Sequence, residues 1–190
     1  MALTPSTMVA LGSPAPDFAL PDTDGKTVRR RDYAGRPILV IFLCNHCPYV
    51  KHVANDLAQV ATKYMQKGVA VVGVSSNDVA NYPEDSPQNM RIEKRDRGYA
   101  FPYLFDESQE VARAYHAACT PDFFLYDNNH RLVYRGQFDD SRPGNGKPIT
   151  GLDLTLAVEA LVTGKPPIAT QKPSMGCNIK WKPLARTIPS

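Results

Sequence analysis

The sequence predicts an α/β fold with a mixed central β-sheet, because apolar runs alternate with amphipathic segments along its middle. Residues 37–43 form an unbroken apolar run rich in branched side chains, which is typical of a strand covered on both faces. Apolar side chains then recur at helical spacing over residues 47–67, and residues 69–74 form a second apolar run. Strand–helix–strand units of this kind join parallel strands by right-handed crossovers.

Two hairpins and three further helices complete the expected fold. Residues 17–20 and 26–28 flank a turn and predict an N-terminal β-hairpin. Residues 123–126 and 132–134 predict a second hairpin, which adds an antiparallel edge to the sheet. The remaining helices are predicted at residues 86–97, 107–117 and 152–161.

Prolines are concentrated at both ends of the chain. Four lie within residues 1–21 and five within residues 166–190. Because dense proline opposes regular structure, we expect both ends to be extended arms that lie on the central domain. The predicted organisation is one domain over residues 1–165, including the N-terminal arm, with a C-terminal tail over residues 166–190 packed on it.

The composition excludes several classes of function. Of the 190 residues, 43% are hydrophobic and 22% are charged, as in an ordinary globular protein. A net charge of +3 is too small to predict binding to nucleic acid or to an anionic membrane. No apolar run approaches the ~18 residues of a membrane span, and residues 1–16 lack the pattern of a signal peptide. We therefore expect a cytoplasmic protein with neither nucleic-acid nor membrane partners.

Two cysteines separated by two residues, Cys44 and Cys47, lie where the first apolar strand passes into the long helix. The unpaired N–H groups and the dipole at a helix N-terminus favour thiolate over thiol. Proline is favourable in a first helical turn, so Pro48 predicts a helix that begins near Cys47. A protonated His46, and Lys51 leaning back from the next turn, would add positive charge. Both sulfur atoms are thus expected at an accessible helix N-terminus.

Two other interpretations of the cysteine pair remain open. Buried cysteines often serve as small apolar residues without chemistry. Together with His46 and His52, the pair also has the donor types that bind zinc or copper, so a metal carrier is an alternative. Structural zinc usually takes four ligands, however, and no second C-x-x-C or H-x-x-H motif completes such a set. We therefore expect neither a metal nor another cofactor, with a redox-active disulfide in their place.

Several further motifs accompany the pair in order along the chain: residues 15–18 (Ala-Pro-Asp-Phe), residues 24–26 (Asp-Gly-Lys), the strand 37–43 leading into the pair, Thr120-Pro121 before a strand, and the tail 173–181. In these motifs and their order the chain resembles the thioredoxin superfamily, specifically the redoxin or peroxiredoxin-like branch that is related to alkyl hydroperoxide reductase and thiol-specific antioxidant. The resemblance implies a thioredoxin-like fold and a cis bond before Pro121. It further implies that the backbone of Thr120 turns toward the sulfur atoms and holds a disulfide substrate.

The chain departs from the family pattern at several positions. Leu43 stands where thioredoxins have a tryptophan, and Ile38 stands near the position of their buried aspartate. When Cys47 is aligned with the attacking cysteine of peroxiredoxins, Val40 and Cys44 replace the proline and threonine of the peroxide-binding motif. Efficient peroxidase activity is therefore not expected.

The leading hypothesis is a thiol–disulfide oxidoreductase in which Cys44 attacks a substrate disulfide and Cys47 resolves the mixed disulfide. Its partners would be protein or small-molecule disulfides and a reductant of the thioredoxin type. The alternative is a thiol peroxidase in which Cys47 attacks peroxide and Cys44 or Cys177 resolves the sulfenic acid. Cys177 is interpreted equally well as a resolving thiol on a mobile tail or as a packing residue. The residues expected to tune the thiolate or to position substrate are Asn45, His46, Pro48, Lys51, Thr120, Pro121 and Arg142, the last from the long loop 137–150.

Overall fold

The computed structural model describes residues 3–183. In chain order the strands are β1 (Leu3–Pro5), β2 (Ala19–Pro21), β3 (Thr27–Arg29), β4 (Ile38–Phe42), β5 (Ala70–Ser75), β6 (Tyr103–Phe105), β7 (Cys119–Thr120), β8 (Asp122–Tyr126), β9 (Leu132–Gly136) and β10 (Met175–Asn178). The α-helices are α1 (Pro48–Gln66), α2 (Pro87–Arg97), α3 (Glu110–Ala114) and α4 (Leu152–Val162), with short 3₁₀ turns at Arg30–Tyr33 and Pro83–Asp85.

A five-stranded mixed sheet forms the centre of the molecule, in the order β6-β5-β4-β8-β9. Strands β4, β5 and β6 are parallel to one another, while β8 pairs antiparallel with both β4 and β9. Every residue of β4, β5 and β8 is buried, because apolar clusters cover both faces of the sheet. The predicted α/β class with a mixed sheet is confirmed.

Helix α1 begins where the sequence indicates. Cys47 is its N-cap residue and Pro48 its first helical residue, so the missing proline N–H leaves no hydrogen bond unmade. One face of the helix packs on the central sheet through buried side chains that include Val50, Ala54 and Leu57. This contact fixes the helix N-terminus at the end of β4, beside Cys44.

The two chain ends form regular structure that the sequence did not predict. Strand β10, from the tail, lies between β1, from the N-terminal arm, and β7, with both pairings antiparallel. The sequence predicts extended arms that lie on the domain but not this strand pairing, which is possible because the four residues of β10 contain no proline and the edge of β7 is available to them. The parts of the arms at residues 1–2 and 184–190 lie outside the described residues.

Smaller differences concern single elements. Helix α3 is shorter than the predicted 107–117, because Gln109 and His116 adopt left-handed backbone conformations at its two ends. Strand β6 was not predicted, since three residues carry too little periodicity. None of the helices within residues 3–183 combines the length and apolar character that crossing a membrane requires.

Candidate active site

The site lies where β4, α1 and β7 meet. Cys44 lies two residues after the carboxyl end of β4, and its Sγ lies 3.3 Å from the Thr120 hydroxyl. The Sγ of Cys47 lies 3.3 Å from the carbonyl oxygen of Thr120. The Thr120–Pro121 peptide bond is cis, as the resemblance implies. The structure thus brings together four of the residues that the sequence singled out.

Cys177 completes the cluster. It lies in β10 opposite Thr120 of β7, and its Sγ is 2.8 Å from the Sγ of Cys47. The sequence left open whether the tail has to move to bring this cysteine to the site. The structure places it on Cys47 with the tail docked.

Both members of the pair are buried, with Cys44 1% and Cys47 0% exposed. The expectation of sulfur atoms reachable at an open helix N-terminus was wrong. The physical reason is β10, which lies along β7 and carries Cys177 onto Cys47. With Cys47 0% exposed, a substrate of any size reaches its Sγ only where this cover is displaced.

The hydrogen bonds and charges around the three cysteines favour a negative charge on Cys47. The hydrogen bond from Cys44 lowers the pKa of Cys47, with further help from Cys177 and the backbone N–H of Val50 in the first helical turn, although burial opposes it. The pKa of Cys44 is raised well above its ordinary value by its hydrogen bond to Cys47, by burial and by the nearby carboxylate of Asp85. These shifts favour thiolate on Cys47 over thiolate on Cys44, the cysteine that the sequence analysis expects to attack first.

His46 is partly buried and pairs with the buried carboxylate of Asp85. Its Nδ1 lies 2.7 Å from Oδ2 of Asp85, and its ring stacks on Tyr82 with centroids 5.4 Å apart. The hydrogen bond to Asp85 raises the pKa of His46, against the opposing effect of burial. A positive charge close to Cys47 is thereby maintained to a higher pH than in a free histidine.

Asp85 is a site residue that the sequence analysis missed. Its carboxylate is fully buried and accepts hydrogen bonds from the backbone of Asn45 at 2.7 Å, the side chain of Asn77 at 2.7 Å and His46. Burial raises its pKa, but the hydrogen bonds from His46 and Asn77 outweigh burial and leave the pKa lowered. The polar residues 75–78, at and after the end of β5, indicate only that polar groups gather where the carboxyl ends of neighbouring parallel strands meet, and they do not single out Asp85.

Asn45 acts as a structural link between the pair and its surroundings. Its side-chain amide donates to the carbonyl of Glu84 at 2.9 Å, and its Oδ1 accepts from the hydroxyl of Tyr103 at 3.1 Å. These contacts, with the backbone bond to Asp85, fix the loop that separates Cys44 from Cys47.

Two predicted residues are not brought to the sulfur atoms. Lys51 is exposed, and no hydrogen bond or ion pair within residues 3–183 joins its ammonium group to either thiol. Arg142 lines a cleft together with Pro121, but its guanidinium donates to the carbonyls of Asp139 and Ser141 at 2.6 Å each. The structure therefore gives Arg142 a role in ordering its own loop beside the cis proline.

The donor atoms close enough to share a metal ion differ from the set expected from the sequence. Within residues 3–183 such a group comprises Cys44, His46 and Asp85, whose donor atoms lie within 4.8 Å of one another, and it does not include Cys47 or His52. Two of these three residues, His46 and Asp85, already form a hydrogen bond with each other. This arrangement favours a pair of charged groups that shifts the pKa values of the thiols.

The comparisons with known proteins identify the family of the chain. The family model described as "AhpC/TSA family" matches residues 11–135. The thiol-disulfide oxidoreductase ResA of Geobacillus thermodenitrificans is 31% identical over 132 residues, which cover 68% of this chain and 70% of ResA.

Two solved structures are similar over nearly the whole chain. An uncharacterized conserved protein from Geobacillus kaustophilus has 52% identity and a TM-score of 0.95, covering 97% of this chain and 99% of that one. A hypothetical protein from Sinorhizobium meliloti 1021 has 50% identity and a TM-score of 0.92, covering 94% and 98%. With the family model spanning more than half of the sequence, the chain belongs to the AhpC/TSA family and has the thioredoxin-like fold of the redoxin branch.

Proposed function

We propose that the protein is a thiol–disulfide oxidoreductase whose reacting groups are Cys44 and Cys47. The observation that carries the proposal is the position of Cys47 at the N-cap of α1, with Cys44 as the main hydrogen-bond partner that lowers its pKa. A lowered pKa supplies thiolate, the form that attacks disulfides, at neutral pH. The thiol-disulfide oxidoreductase ResA, a relative of this chain, supports the same class of reaction.

The reaction follows from the charge distribution. The thiolate of Cys47 attacks one sulfur of the substrate disulfide, the substrate S–S bond breaks, and the departing sulfur takes up a proton. Cys44 then loses its proton and attacks Cys47 in the mixed disulfide, which releases the second substrate thiol. The substrate gains two electrons and Cys44–Cys47 becomes a disulfide. The ion pair of His46 and Asp85 lies beside both steps and stabilises thiolate on the side of Cys47.

The proposal includes the partners that this cycle needs. The substrates are protein or small-molecule disulfides, and a reductant of the thioredoxin type returns the pair to its dithiol form. The redox-active disulfide itself is the reacting group, without a metal or other cofactor. A cytoplasmic location is part of the same proposal.

A thiol peroxidase is the second candidate, and one contact favours it. The threonine of the peroxidase motif is replaced by Cys44, but the Thr120 hydroxyl lies 3.3 Å from Cys44 Sγ and also contributes to lowering the pKa of Cys47. In this reaction Cys47 attacks one oxygen of the peroxide, the O–O bond breaks, Cys47 becomes a sulfenic acid, and the other oxygen takes up a proton and leaves as water or an alcohol. Cys44 or Cys177 then attacks that sulfur, and water leaves.

An insulin reduction assay with a dithiol as the regenerating reductant separates the two candidates. We expect the wild type to be active, Cys47→Ser to be inactive, and the double variant Cys44→Ser/Cys177→Ser to stop at a mixed disulfide. Cys119→Ser is the matched control, because burial raises the pKa of Cys119 and keeps it a thiol. Insulin reduction that persists in both Cys44→Ser and Cys47→Ser contradicts the proposal. Peroxide consumption that needs Cys47 but survives Cys44→Ser favours the peroxidase.

A further inference from the structure

The space that a substrate sulfur has to occupy above Cys47 is filled by the chain's own Cys177. Cys47 is fully buried, and the Sγ of Cys177 lies 2.8 Å from its Sγ. A disulfide exchange at Cys47 requires a second sulfur at this position. The first sulfur available to Cys47 from outside the Cys44–Cys47 pair is therefore that of Cys177.

The strand that carries Cys177 is fitted closely against the site. A Cβ atom on Gly176 would lie 2.0 Å from the carbonyl oxygen of Thr120, so a larger residue has no room there. Just before the strand, the carbonyl of Ser174 accepts a hydrogen bond from the backbone N–H of Ser6 at 2.9 Å. After it, the N–H of Ile179 donates to the carbonyl of Ala118 at 3.1 Å. These contacts hold Cys177 in register with Thr120.

We propose that Cys177 is a third redox cysteine, which exchanges with the Cys44–Cys47 disulfide inside the chain and forms a Cys47–Cys177 disulfide. This inference rests on the proposed function, which supplies the initial disulfide. The sulfur of Cys177 loses its proton and attacks the sulfur of Cys47, the bond between Cys47 and Cys44 breaks, and Cys44 leaves and takes up a proton. The step moves no net electrons, so it needs no further oxidant or reductant.

The charges around Cys177 suit this exchange. In the reduced protein, burial and the hydrogen bond to Cys47 raise the pKa of Cys177 to about 12, which keeps it a thiol that donates to the Cys47 thiolate. When Cys47 enters a disulfide, that thiolate is gone and one cause of the raised pKa is removed. Lys180, three residues further on, acts in the opposite direction and stabilises a thiolate at Cys177. The attacking form thus becomes more accessible after the pair is oxidised.

The test is disulfide mapping by mass spectrometry after brief oxidation with oxidised glutathione. The reaction is quenched with acid, free thiols are alkylated, and the protein is digested without reduction. Wild type, Cys44→Ser and Cys177→Ser are compared, with Cys119→Ser as a control and circular dichroism as a check of folding. The wild type needs no substitution, so the test does not depend on how the variants fold.

We expect Cys47–Cys177 in Cys44→Ser, Cys44–Cys47 in Cys177→Ser, and both disulfides in the wild type. Two results together overturn the inference. In Cys44→Ser, Cys47 remains joined to glutathione and Cys177 is alkylated as a free thiol. In the wild type, no peptide with a Cys47–Cys177 disulfide is found. In that outcome a Cys44–Cys47 disulfide in the wild type leaves the proposed function standing. Conversely, the absence of Cys44–Cys47 from Cys177→Ser contradicts the proposed function itself.

Discussion

Among single residues, Asp85 has the widest influence on the charge of the site. Its carboxylate bonds His46, whose pKa it raises, and it also raises the pKa of Cys44. A negative charge on the side of Cys44 and a positive charge beside Cys47 favour thiolate on Cys47. Asp85 therefore acts as a positioning residue, through the histidine and the two thiols.

The substitution Asp85→Asn is expected to lower the pKa of His46, because the amide keeps the shape of the carboxylate but removes its charge. With Asp85 present, the stabilisation from charged His46 is complete below the ordinary histidine pKa and is lost as the pH rises through the raised value. NMR titration of the His46 ring measures this pKa directly. We further expect the free energy of unfolding to fall by about 1–3 kcal/mol, as for other buried hydrogen-bonding groups left without a partner.

Asp127→Asn is the control for this prediction. Asp127 accepts backbone N–H groups in a surface turn at the β8–β9 hairpin, and its substitution should leave His46 unchanged. A pKa of His46 that is the same in Asp85→Asn as in the wild type would show that the ion pair does not set the charge of the histidine.

At the scale of elements, the fit of β10 against β7 controls access to the thiols. Gly176 does not have a positive φ, so a side chain there is excluded by the contact with Thr120 rather than by backbone conformation. Where this fit is lost, the strand has to move away from Thr120, and the cover over Cys47 opens.

Gly176→Ala is expected to lower the free energy of unfolding by about 1–3 kcal/mol, the usual cost of overpacking. The same substitution should speed alkylation of Cys47 in the native protein, measured by mass spectrometry at a fixed concentration of iodoacetamide. Leu3→Ala is the matched control, because Leu3 pairs with Cys177 from the neighbouring strand but is 56% exposed. Equal rates of Cys47 alkylation in Gly176→Ala and the wild type would mean that β10 does not cover the site.

How far the elements could be predicted depends on whether their signals are local. The strand β4, the start of α1 and the hairpin β8–β9 were predicted because apolar runs, a first-turn proline and a turn lie within short stretches. Strand β10 was not, because its pairing joins residues more than fifty positions apart along the chain and depends on a close approach at one glycine. Nothing in four residues without alternation indicates such a contact.

For the molecule as a whole, the chain ends and the middle converge on one site. Residues 175–178 pair on one side with residues 3–5 and on the other side with residues 119–120, which lie beside the cysteine pair. The pair itself was found from its spacing and its place before a helix. Asp85 was not found from the sequence, because only the folding of the loop after β5 brings it close to the pair. Its position along the chain does not indicate that proximity.

The proposed function requires that Cys44 and Cys47 exchange two electrons reversibly. Equilibration of Cys177→Ser in glutathione redox buffers, followed by acid quenching and thiol mapping, measures this exchange. We predict a single two-electron transition in which both cysteines lose their free thiols together and regain them on reduction, with Cys119 unaffected. If the two thiols stay free across the whole range of buffers, or form only separate adducts with glutathione, the pair is not a redox-active disulfide.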